Sequence, residues 1–153
     1  MANIIIECAK YLMIILITIY TYQCFTVFGY EDEIAKKHIF RNQNRLMFMM
    51  HFMAFAGMYL KTGELKMLAF YLIQVIILLA IILLYTRIYP KVSRLIVNNM
   101  CMLLAIGFIM ITRLQYNKAV KQSIIVAVSV ALSLVVPVVI RKVKGLPQLR
   151  LVY

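Results

Sequence analysis

No acidic side chain follows Glu64, and the chain of 153 residues holds only five Asp and Glu against 17 Lys and Arg. Catalysis by acid, base or metal needs such groups in fixed positions, and the apolar segments offer only Glu7, Lys10, His51 and Gln74. A phosphate-binding loop is missing as well. Cysteine is scarce: Cys8, Cys24 and Cys101 lie in or beside apolar segments. An odd number without a CxxC pair argues against both a disulfide framework and a zinc site. Charge of either sign is thin, at 14% of residues, while 65% are hydrophobic and the mean hydropathy is +0.92. A soluble domain of this composition would expose more apolar surface than water tolerates, so the chain reads as an integral membrane protein.

What is present is a succession of uncharged runs with the charges gathered between them, as expected where a charge at the bilayer centre costs several kcal/mol. The net charge of +12 flanks apolar spans instead of lining one soluble face, so it points to the anionic lipids of a membrane surface as partner and away from nucleic acid. Five spans are predicted, in an all-α polytopic membrane helix bundle. The first is Tyr11 to Phe28, about 27 Å as a helix against a hydrocarbon core of roughly 30 Å. A cleaved signal peptide competes with it, but Glu7 stands where a basic region belongs and no small-residue cleavage site follows. Gly29 to Arg45 is the most polar stretch, read as a loop with a short amphipathic surface helix, acids before bases. Leu46 to Leu60 rises only about 22 Å and must borrow Ile39 and Phe40 or thin the bilayer. Lys61 to Lys66 is a hairpin turn in which Gly63 supplies backbone freedom. Met67 to Thr86 is the third span, ended by Tyr89 and Pro90. Leu95 to Thr112 is the fourth, with Asn98 and Asn99 at its water boundary and a polar turn through Gln122 after it. Ser123 to Ile140 is the fifth, where Ser129 and Ser133 would allow close helix approach and Pro137 should bend or end the helix. The basic tail turns apolar again at Leu151, as if a further span would follow.

Several side chains invite a chemical reading. Glu7 and Lys10, three residues apart, are either an ion pair on a transport path or an interfacial pair reaching the headgroups. Glu31, Asp32 and Glu33 suggest a cation site, although consecutive carboxylates on a helix do not converge and a solvated loop accounts for them. Met47, Met49, Met50, Met53 and Met58 in the same segment as His51 suggest copper. No second His or Cys lies one helical turn away, and thioethers that fill gaps, with His51 in one interhelical hydrogen bond, explain the same residues. Gln74 is expected to bond a neighbouring helix. No cofactor is implied.

If all five segments cross, one side of the membrane carries eleven Lys and Arg and the other six. The positive-inside rule then puts the amino terminus outside and the carboxyl terminus in the cytoplasm.

Within the fourth span and beyond it, Leu103-Leu-Ala-Ile106-Gly107-Phe-Ile-Met110-Ile-Thr-Arg113-Leu114, a few polar residues, then Ala119-Val-Lys-Gln122 and a new span resemble the start of the membrane core of the FtsW/RodA/SpoVE family. The resemblance covers about 45 residues. It implies that residues 95–153 begin that core and that residues 1–94 are a three-helix amino-terminal extension. It also implies a bacterial plasma-membrane location, work in peptidoglycan synthesis during division or elongation, and a penicillin-binding transpeptidase as partner. Ile106, Gly107, Met110, Arg113, Ala119 and Gln122 would be structural positions of the motif. Family members resemble glycosyltransferases that polymerise a lipid-linked precursor, with a catalytic acid in an outer loop far downstream. This chain supplies no such residue and is expected to be inactive alone, as the amino-terminal part of such an enzyme. The alternative is a small membrane scaffold protein without catalytic activity.

Overall fold

A computed structural model describes the backbone of residues 2–142 and the side chains of residues 4–136. Five long helices carry almost all of it: α1 Ala2–Thr26, α2 Glu33–Thr62, α3 Leu65–Ile88, α4 Arg94–Leu114 and α5 Tyr116–Lys142. No strand occurs among the described residues.

α1 is rich in Ile and Thr, which are indifferent helix formers in water. In lipid the backbone must satisfy itself, and helix is the conformation that does so within one segment. Its threonines obey the same rule: the hydroxyls of Thr18, Thr21 and Thr26 donate to the carbonyls of Ile14, Ile17 and Tyr22 at 2.9, 2.9 and 2.8 Å. The helix ends at Thr26, and a single 3-10 turn, Val27–Gly29, leads to extended Tyr30.

From Glu33 the polar stretch after Gly29 is helical, as expected, but the helix is neither short nor separate: it is the first part of α2, a continuous helix of 30 residues that rises about 45 Å. Asp32 caps it by accepting from the Ile34 amide at 3.0 Å, and Glu33 pairs with Lys36 at 3.0 Å, so two acids serve the positive end of the helix. Gln43, Leu46, Met47, Met50, His51, Ala54 and Phe55 are buried at alternating steps of three and one, which is the stripe of a helix packed along its length. Gly63 closes the helix in the left-handed region, φ 67°, with its amide donating to the Tyr59 carbonyl at 2.8 Å.

A second difference lies between α4 and α5. Gln115 alone separates them, and the polar stretch from Tyr116 to Gln122 is the opening of α5. The reason is Ala119, Ser123 and Val126, a buried stripe at steps of four and three that holds these turns against the bundle. Pro137 does not end α5, which continues to Lys142. The tail from residue 143 lies outside the described residues.

α2 packs on α1, α3 and α4, and α5 lies on α3 and α4. The main core gathers Leu16 and Tyr20 of α1, Met47 and Met50 of α2, Leu78 and Ile81 of α3, and Cys101, Met102, Ala105 and Phe108 of α4. A smaller cluster joins Phe55, Phe70 and Ala119. α1, α3, α4 and α5 are long and apolar enough to cross a membrane. Their outward faces, including Ile14, Phe25, Leu72, Ile76, Leu103 and Leu132, leave large apolar side chains exposed. Such a surface suits acyl chains, and with four helices of spanning length and composition it points to a membrane protein.

Candidate functional site

The polar side chains inside the bundle form two separate networks. The first ties α1, α2 and α4 together. Asn98, 4% exposed, donates through Nδ2 to the Gln43 Oε1 at 3.0 Å and to the Phe40 carbonyl at 3.2 Å. Gln43 Nε2 reaches the Cys24 sulfur at 3.6 Å, and the Asn99 Oδ1 accepts from Tyr20 Oη at 2.9 Å and from Cys24 Sγ at 3.2 Å. Asn98 is therefore an interior anchor as well as a residue near the helix end, buried against Gln43 of the facing helix.

The second network ties α2, α3 and α4. Gln74 Nε2 donates to Thr112 Oγ1 at 3.5 Å, which leaves its Oε1 to accept from His51 Nε2 at 3.0 Å. His51 Nε2 thus carries a proton, and Nδ1 is buried without a partner. The ring stacks on Tyr71 at 5.3 Å with planes 27° apart and touches Phe55 at 4.9 Å. Thr112 returns its own proton to the Phe108 carbonyl at 2.6 Å. Gln74 bonds across helices as its sequence position predicts. The methionines around His51 fill the core or face outward, and among the described residues no three His, Cys, Asp or Glu side chains converge as metal ligands would.

The remaining sequence candidates scatter. Glu7 and Lys10 pair, more than half exposed, at the edge of a cavity of about 450 Å³ that Lys61 and Arg113 also line. Glu31, Asp32 and Glu33 do not meet: Asp32 caps and Glu33 pairs, while Glu31 is exposed. Cys8, Cys24 and Cys101 are free thiols. Ser133 bonds Tyr85 of α3 at 2.6 Å, whereas Ser129 faces outward. Of the motif positions, Gly107 and Gln122 line one groove between α4 and α5 of about 270 Å³, and a Cβ added at Gly107 would meet no atom within 4 Å. Ala119 is fully buried and Ile106 packs against the main core, but Met110 is exposed and Arg113 belongs to the other cavity.

One further cavity, of about 470 Å³, opens where α2 and α4 begin and α3 ends. Lys37, His38, Arg41 and Arg94 line it together with Asn44, whose Oδ1 is buried without a partner. Sequence reasoning missed it, since it placed Lys37 and Arg41 in a loop. The signal was there in the helical spacing of Lys37, Arg41 and Asn44, four and three apart.

What the arrangement does chemically is hold helices. Each buried interhelical hydrogen bond in a membrane contributes on average about 0.6 kcal/mol and at most about 1.7 kcal/mol. Compared with protein-family models, with curated proteins and with solved structures, the chain finds no match.

Proposed function

We propose that the chain is a membrane component of bacterial cell-wall synthesis, supplying the opening helices of an FtsW/RodA/SpoVE-type protein in the plasma membrane. The observation that carries this reading is the α4–α5 hairpin. Gly107 and Gln122, two of the motif positions, stand on one groove, and Ala119 is buried with Phe55 and Phe70. Charge supports a direction. With all five helices crossing, the side with more Lys and Arg is cytoplasmic, and α4 travels outward to its motif end. α2 is read as crossing because it is as long as its neighbours and runs alongside α3, from His51 against Gln74 to His38 and Arg41 near Thr86.

In this reading the described helices position other parts and carry out no reaction step. The open groove at Gly107 also suits the alternative, a scaffold that seats a helix of another membrane protein such as a penicillin-binding transpeptidase. Depletion tests the first reading. Cells losing the chain should lose incorporation of a fluorescent D-amino acid at the septum or the side wall. Unchanged labelling and cell shape would overturn it. Gly107→Leu, which fills the groove without touching the core, should prevent rescue while leaving the protein folded. If rescue survives, the groove is not the working surface.

A further inference from the structure

We infer that the cavity between α2, α3 and α4 is a binding site for the phosphate of an anionic phospholipid. Three cations, Lys37, Arg41 and Arg94, converge on it, and no carboxylate lines it. Of the acids nearest in sequence, Asp32 caps α2, and Glu33 pairs with Lys36 and lines only the adjoining hollow. Arg41 is already oriented, since its Nη2 donates to His38 Nδ1 at 2.9 Å. His38 Nδ1 is the acceptor of that bond, one turn of α2 before Arg41. Like charges brought together beside a low-dielectric interior repel, and an anion between them removes the repulsion. Guanidinium groups match a phosphate in geometry as well as charge.

The walls decide the class of ligand. Ile34, Phe40 and Ile82 give the cavity an apolar wall beside the cations, and Asn44 and Asn98 complete the lining. From Ile34 to Asn44 it follows α2 for about 15 Å, the depth of a headgroup and the root of its chains. Asn44 adds an amide to the lining, a group able to bond a glycerol or sugar hydroxyl. The adjoining hollow exposes the start of α4, where Ser93 makes no side-chain cap and the first amides remain open to an anion. A soluble phosphate has no use for the apolar wall. A phospholipid uses both parts, as basic pockets between membrane helices do for charged headgroups. This assignment stands apart from the cell-wall reading, because it rests on the other end of α4.

Native mass spectrometry of the detergent-purified chain tests it, with phosphatidylglycerol and phosphatidylcholine of identical acyl chains as probes. Phosphatidylglycerol should be retained preferentially. Arg94→Gln should weaken that retention about fivefold, and Arg41→Gln with Arg94→Gln about tenfold to thirtyfold. The matched control, Lys118→Gln with Lys121→Gln, should change little. Circular dichroism checks that each variant is folded, and Arg41→Lys with Arg94→Lys, which keeps the charge, should keep most of the preference. Equal retention of the two lipids by the unmodified chain would overturn the site, as would equal loss in the control variant. Displacement of the lipid by equimolar glycerol 3-phosphate would overturn the lipid assignment in favour of a soluble anion.

Discussion

The two buried networks solve the same problem in different ways. Around Asn98 the bonds branch: five side chains and one carbonyl on three helices share them, and Asn99 Oδ1 alone accepts twice. Around Gln74 they form a line, His51 to Gln74 to Thr112, with an unpaired nitrogen at one end. Along α4 the two lie about 21 Å apart, near opposite ends of the helix. The branched network cannot be cut out cleanly. The linear one can, since replacing both partners of a buried hydrogen bond by apolar groups of like shape is close to neutral.

The largest effect should come from Asn98→Ala, which strands the Gln43 carbonyl and opens a small void. About 2 kcal/mol of unfolding stability should be lost, measured by denaturant titration in mixed micelles. In the same variant Cys24 should react faster with a maleimide, in a Cys8→Ser background, because its neighbours loosen. A smaller loss, about 1 kcal/mol, is expected for Gln74→Leu, which leaves His51 Nε2–H buried without an acceptor. Adding His51→Phe should bring stability back to within about 0.5 kcal/mol of the unmodified chain or above it, since the ring still stacks on Tyr71 and both orphaned nitrogens are gone. If the double variant is no better than Gln74→Leu, the linear network is coupled to more than its visible partners and the contrast between the two fails.

The contrast also shows what the sequence made legible. Gln74 stood alone in an apolar run, so its need for a partner on another helix was readable, and the third and fourth helices were placed within two residues of their ends. Gln43 and Asn98 were not readable in that way. Both sit beside charged or polar neighbours, and seven charges between Gly29 and Arg45 outweighed the helical spacing that joins Gln43 to Leu46, Met47 and Met50. The start of α5 was hidden for the same reason. Lys118 and Lys121 look like a loop until Ala119 and Ser123 are seen to face inward. Local charge reports where a chain meets water, whereas the pairing of an amide with one on a distant helix leaves no mark in either segment. The basic cavity depends on that same hidden registry, because α2 has to be a helix before Lys37, Arg41 and Arg94 can share a space.

The branching around Asn98 has a consequence in time. Gln43 is synthesised 55 residues before the side chain that satisfies it. Until α4 leaves the ribosome, α2 holds an amide whose burial in lipid costs several kcal/mol. The first three helices therefore wait on the fourth, and α2 takes up its final depth late. A nascent chain arrested after residue 90 should leave a Met47→Cys thiol, one turn from Gln43, open to a water-soluble alkylating reagent, in a background without the native cysteines. One arrested once α4 has cleared the ribosome should protect it. Equal protection in both would mean that α2 reaches its place unaided.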